Sequence, residues 1–380
     1  MRPILPIRLA ALSFSFGLVI IGTLVLAQPR PPAMSSPGYE VWVTNQQKDS
    51  IQVIDGRTLK VVAEIPVDED GNPATTKPHT IAFSPDGQYA YIANVGAKIG
   101  TRNIIVIHTG DRKVVATLPA GPATHMVLPS PDGSRAFAAN AGGSSVTEIK
   151  TDTAKESFTL GQTLTIKGKD GGKARPTCLA FSSDGKKLYV TNAGDSKTDS
   201  STAGFLLVLE VSTGRELSRI TNLGSEACGL DRTQDGKKIY FTIGGGVNKF
   251  AVLDTTTDQI IKQIPTGSED PHGLKIASGG HLVWITNRIS GNLTVLNTTT
   301  AMHFKTYFKV GDKPDLLDFS PDGSRVFVTL RGKPATPLPQ GAGGTEPGLL
   351  VLDAQSGKGL AKIPLGGDPH GIAVRVKESK

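Results

Sequence analysis

The segment H-T-I-A-F-S-P-D-G-Q-Y-A-Y-I-A-N, His79 to Asn94, decides the fold. Ile81 and Phe83 alternate with the smaller Thr80 and Ala82, the period of two that marks a strand. Ser84-Pro85-Asp86-Gly87 is a turn, because Pro presets φ, Asp bonds its own backbone and Gly accepts positive φ. Tyr89 to Asn94 is a second strand. Residues 103–108 give a third, and residues 114–119 a fourth. The unit then begins again. Alignment on the Asp-Gly turns at Asp86, Asp132, Asp184, Asp235 and Asp322 places His79, His125, Thr177, Cys228 and Asp315 seven residues before each Asp. Two more units open at His272 and His370, each within D-P-H-G.

The seven openers are 46, 52, 51, 44, 43 and 55 residues apart. A period of about 40–50 residues with four short strands is the signature of a propeller blade. The expected fold is therefore an all-β, seven-bladed propeller with four antiparallel strands per blade. The repeats begin in mid-unit at Tyr39 and finish on a lone opening strand from His370. That strand should complete the first blade and close the ring, which removes the open edge of the array.

Residues 1–27 read as a signal peptide. Arg2 and Arg8 precede an apolar stretch, and Val25-Leu26-Ala27 offers small residues for cleavage. An uncleaved anchor is the competing reading. Residues 28–38 form a Pro-rich linker, 39–376 the propeller and 377–380 a tail. The folded part is thus expected to be exported, periplasmic or extracellular, and monomeric. The chain has 380 residues and a net charge of +7, with its Lys and Arg scattered, and aromatics make up 6%. Neither a basic patch nor a stacking platform emerges, so nucleic acid is not the expected partner. Cys178 and Cys228 lie on the opening strands of consecutive blades. Packed sheets sit about 10 Å apart, so two separate thiols are expected rather than a bridge.

The segments V-W-V-T-N (41–45), Y-V-T-N (189–192) and W-I-T-N (284–287), with S-P-D-G and P-H-G-I-A, resemble the YVTN-type β-propeller repeat family. The resemblance covers residues 39–376. It implies a bacterial surface or periplasmic propeller. Nitrous oxide reductase is among the proteins sharing the repeat, and it carries a copper cluster on His residues at the mouth of its propeller. By that likeness, His79, His125, His272 and His370 are candidate ligands for copper or zinc. Three of the seven openers here are not His, and the separate copper domain of that enzyme is lacking.

In this topology the chain passes from the outermost strand of one blade to the centre of the next. The openers His79, His125, Thr177, Cys228, His272, Asp315 and His370 should therefore surround the channel mouth. Imidazole, thiolate and carboxylate are metal ligands, yet the same His could cap strands and bond backbone carbonyls. Two residues before the openers lie Lys77, Ala123, Arg175, Glu226, Asp270, Lys313 and Asp368. Glu226, Asp270 and Asp368 add acids to the candidate ligand-binding mouth. No nucleophile elbow, zinc-protease helix, phosphate loop or haem-attachment motif occurs. The function expected from sequence is a non-catalytic binding protein for a small molecule, polymer or protein partner, with a metal or redox site as the alternative.

Overall fold

Each repeat folds as a four-stranded antiparallel sheet, and seven such sheets form the ring. The computed structural model describes residues 38–68, 76–96, 102–168, 171–194, 204–300, 310–332 and 346–377, with 302–307 by backbone alone. The signal-peptide reading and all of the linker except Gly38 lie outside these residues. Blade 1 comprises β1 (Tyr39–Asn45), β2 (Ser50–Asp55) and β3 (Val61–Pro66), joined by β28 (Pro369–Val376) in the order β28-β1-β2-β3. Blades 2 to 7 open with β4 (Pro78–Phe83), β8 (Thr124–Pro129), β12 (Arg175–Phe181), β16 (Ala227–Arg232), β20 (Pro271–Ile276) and β24 (Pro314–Phe319). The expected closure is present: Ile372 pairs with Val43, and Val374 with Val41. No helix among the described residues is long and apolar enough to cross a membrane.

The repeat signature has a physical role at each position. In the Asp-Gly turns the Asp accepts from a hydroxyl two residues earlier, as Ser130 Oγ does to Asp132 and Thr233 Oγ1 to Asp235 at 2.6 Å. Gly133 and Gly236 supply the left-handed φ of +71° and +72°. The Thr that stands in V-T-N, and in the equivalent place of other blades, latches neighbouring blades. Thr44, Thr242 and Thr329 each donate to the backbone carbonyl of the next opener, His79, His272 and His370, at 2.9, 2.8 and 2.8 Å. The Asn fastens the crossover between blades. Asn45 donates to Gly366 O at 2.9 Å and accepts from Asp368 N at 3.0 Å.

Apolar side chains fill the wedges between sheets. Phe137 and Val146 of blade 3 pack with Leu179, Val190 and Leu207 of blade 4, all buried. Burying each such side chain stabilises the fold by about 1.5–3 kcal/mol. The wedges narrow towards the axis, and there the seven opening strands meet. Gly273 and Gly371, which follow His272 and His370, face the carbonyls of Asp315 and His79 so closely that a Cβ would collide with them. That contact accounts for the Gly of P-H-G.

The two cysteines depart from expectation. Cys178 and Cys228 form a disulfide, with Cα atoms 5.4 Å apart. The 10 Å spacing of packed sheets does not hold at the hub, because blades fan outward from the axis. Cys178 also sits one residue past the opener Thr177, where the pairing of β12 with its neighbour slips between Pro176 and Leu179.

Candidate functional site: the channel mouth

The openers are set in irregular backbone, which decides where their side chains go. Pairing slips between Pro78 and Thr80, Thr124 and Met126, Pro271 and Leu274, and Pro314 and Leu317. A bulge bends its strand and re-aims a side chain. Here it places His79, His125, His272 and Asp315 around the axis, and β28 adds His370.

The openers meet as the sequence reading anticipated, although they do not form a uniform ring. His79 and His370 stack with ring centroids 3.7 Å apart, and His125 lies edge-on to His79 at 4.3 Å. Asp315 stands between two histidines: its Oδ1 is 3.2 Å from His272 Nε2 and its Oδ2 3.1 Å from His370 Nε2. The remaining openers are spent on structure. The Thr177 hydroxyl donates to Ala227 O at 3.0 Å, and Cys228 is in the disulfide.

Acids of the outer ring pair with two arginines. Arg288 Nε lies 2.7 Å from Asp270 Oδ2, and its Nη2 lies 2.7 Å from Glu226 Oε2. Arg331 forms a fork on Asp368 at 2.8 and 2.7 Å, and its Nη1 lies 3.3 Å from Asp315 Oδ2. Arg288 and Arg331, with Gln46 against His79, are the residues at the mouth that the sequence reading did not single out. The signal was available, since each directly follows the end of a second strand, at Asn287, Leu330 and Asn45. That position makes its own ring. Its backbone N–H donates to the residue two before an opener, as Gln46 does to Asp368 O and Arg288 to Asp270 O, both at 2.9 Å. Several of the accepting residues, including Lys77, Ala123, Asp270 and Lys313, take left-handed φ between +48° and +60°.

The histidines are held neutral. Burial, then the charges of His370 and His125, push His79 well below the usual imidazole range. Burial, then Arg288, does the same to His272. Burial, then His370, brings His125 down to about 3, against an opposing hydrogen bond to Thr177. His370 falls to about 3 through burial, then Arg331. For Arg331, burial disfavours the cation, but the hydrogen bond to Asp368 and the charge of Asp315 outweigh it and raise the pKa.

Accessibility separates these groups. His79, His272, Asp315, His370, Asp270, Asp368 and Arg331 are buried. His125 is half-buried, Glu226 is half-buried and Arg175 is exposed. His125 Nδ1 lies 3.1 Å from Thr177 O and so carries the proton, which leaves Nε2 as the basic nitrogen. Arg175 is near enough for its charge to lower the His125 pKa. The mouth therefore joins a half-buried, unprotonated imidazole to an exposed guanidinium, above a set of buried polar groups. A cavity of 730 Å³ lies elsewhere, among Asp132, Arg135, Asp184, Lys187 and Glu210 at the Asp-Gly turns. Those turns face away from the openers, and the groups there are ordinary turn and surface residues, so the site is placed at the mouth.

A family model described as "Lactonase, 7-bladed beta-propeller" matches residues 75–302. The chain belongs to that family. No curated protein matches it. Among solved structures, it is similar to a periplasmic gluconolactonase from Pseudomonas aeruginosa, at 17% identity and a TM-score of 0.68, over 90% of this chain and 100% of that one. It is also similar to a protein from Lactobacillus plantarum, at 17% identity and TM-score 0.66, over 89% and 99% of the two chains. Hydrazine synthase from Kuenenia stuttgartiensis has 18% identity and TM-score 0.63, over 76% and 88%. At such identities these likenesses speak for the fold alone. Membership in a lactonase family corrects the expectation of a non-catalytic binding protein, and with it the copper-like redox alternative.

Proposed function

We propose that the chain is an exported hydrolase that opens the ring of a small lactone at the channel mouth. The observation that carries the proposal is His125. Its Nδ1–H is held by the Thr177 carbonyl, and its Nε2 is left unprotonated on a half-buried ring, a weak base at a pKa of about 3. In this reading water attacks the lactone carbonyl carbon while His125 Nε2 takes its proton. Arg175 offers positive charge to the oxyanion of the tetrahedral intermediate. The ring C–O bond then breaks, and the departing alkoxide receives the proton from His125, giving a hydroxy acid. The family match and the gluconolactonase of similar fold support the substrate class.

Export is supported by the Cys178–Cys228 disulfide, since such bridges persist in oxidising compartments, and by the periplasmic origin of the gluconolactonase. The narrower YVTN-type assignment and a small-molecule partner belong to the same proposal.

The test is ring opening of a panel of aldonolactones and simple γ- and δ-lactones, followed by proton release above the uncatalysed rate. His125→Gln should lower kcat by about 10²–10⁴-fold with unchanged circular dichroism. Arg175→Met should lower it less. No lactone opened by the wild type, or full activity in His125→Gln, would overturn the proposal.

A further inference from the structure

We propose that His272, Asp315 and His370 bind one divalent cation of the zinc class beneath the mouth. One ligand atom from each residue, imidazole N or carboxylate O, falls within 4.8 Å of the other two. The two imidazole-to-carboxylate separations are 3.2 and 3.1 Å. Metal–ligand bonds of about 2.0–2.1 Å in tetrahedral geometry put neighbouring ligand atoms about 3.3 Å apart. Each imidazole stands at that spacing from one of the two carboxylate oxygens, His272 from Oδ1 and His370 from Oδ2.

Proton bookkeeping points the same way. His370 Nδ1 lies 2.9 Å from the His79 carbonyl, an acceptor, so Nδ1 carries a proton. With Nδ1 engaged as the donor, Nε2 is the nitrogen left to coordinate, and it lies 3.1 Å from Asp315 Oδ2. Neither atom makes a hydrogen bond, and Asp315 Oδ1 and His272 Nδ1 are likewise buried without one. Asp315 Oδ2 has the Arg331 guanidinium 3.3 Å away but no hydrogen bond; buried polar atoms left without one are unfavourable, and a cation coordinated by these atoms would satisfy them. The His370–carbonyl bond is also the outer-shell contact that orients metal-binding histidines.

Charge agrees with geometry. The ion-paired cluster holds four carboxylates, Glu226, Asp270, Asp315 and Asp368, against two guanidiniums, Arg288 and Arg331. Two negative charges are left over within it, the number that one divalent ion cancels. Two imidazoles and a carboxylate are a donor set that zinc accepts. The three ligands come from blades 6, 7 and 1, so the ion would tie the closing strand β28 to its neighbours. The role is structural, involves no redox step and does not depend on the lactonase reading.

The full mature chain, stripped with chelator, is titrated with zinc chloride against a chromophoric chelator, and its thermal unfolding is followed in parallel. Binding of about one zinc per chain with a raised Tm is expected, since a ligand of the native state stabilises it. Asp315→Asn and His370→Gln should lose both effects, whereas His125→Gln should retain them. If those two variants fail to fold, X-ray absorption of the zinc-loaded wild type decides. A shell of nitrogen and oxygen with two imidazoles supports the site. Absent binding, undiminished binding in folded variants, or sulfur in the shell overturns it.

Discussion

His370 donates its Nδ1 proton to the backbone carbonyl of His79 at 2.9 Å, joining residues 291 positions apart in sequence. The two rings stack at the same point. This contact unites the last inner strand with the opener of blade 2, so ring closure and assembly of the mouth are a single event. Stability and site geometry should respond together when the hub is altered.

The inter-blade latch makes a direct prediction. Thr329 is buried, donates to His370 O at 2.8 Å and accepts from Leu316 N at 3.0 Å. Thr329→Val keeps the shape and leaves both backbone groups unsatisfied, so a loss of about 1–3 kcal/mol is expected. Urea unfolding at unchanged m-value measures it.

Gly371→Ala addresses the close approach of two inner strands. A methyl group there meets the His79 carbonyl and the Thr80 backbone. Blades 1 and 2 must move apart, at a cost of about 1–3 kcal/mol. Gly359, whose Cβ would meet nothing, is the matched control, and Gly359→Ala should leave Tm nearly unchanged.

Reduction of the Cys178–Cys228 bridge, which spans 50 residues, should remove about 2–5 kcal/mol. The wild type in dithiol reductant and the Cys178→Ser/Cys228→Ser double variant should then unfold at the same denaturant concentration. A wild-type midpoint indifferent to reductant, with two titratable thiols in the native protein, would show that the bridge does not form.

His125 sets a pH dependence with a definite sign. Its folded pKa is about 3, against an ordinary 6.5. Above 6.5 the ring is neutral in both states and stability is full. Between 6.5 and 3 the unfolded chain takes up the proton and the native protein does not, so stability falls as pH falls, by about 1.4 kcal/mol per unit. His125→Gln should flatten that part of the curve by one proton. An unchanged slope in the variant would mean that the native ring protonates as freely as the unfolded one.

The blade count, the closure and the convergence of His79, His125, His272, Asp315 and His370 were all legible in sequence, because the repeat fixes which residue opens each inner strand. The bridge between Cys178 and Cys228 was not. It depends on how closely wedge-shaped blades approach at the hub, a distance that strand periodicity does not encode. Arg288 and Arg331 were overlooked for a related reason. They follow the second strand, and only the folded crossover shows that this position returns to the axis beside the acids Asp270 and Asp368. The proposed pairing of His125 with Arg175 was illegible because the two lie on different blades, with no shared motif to announce them.

The strand β28 fills the inner place of blade 1 and brings His370 with it. A chain still lacking residues 369–376 would therefore own six complete sheets and an unsealed gap, with Asp315 missing one imidazole neighbour. Maturation of the hub must wait for that segment, and damage confined to it should disorder a channel mouth assembled from residues far earlier in the polypeptide.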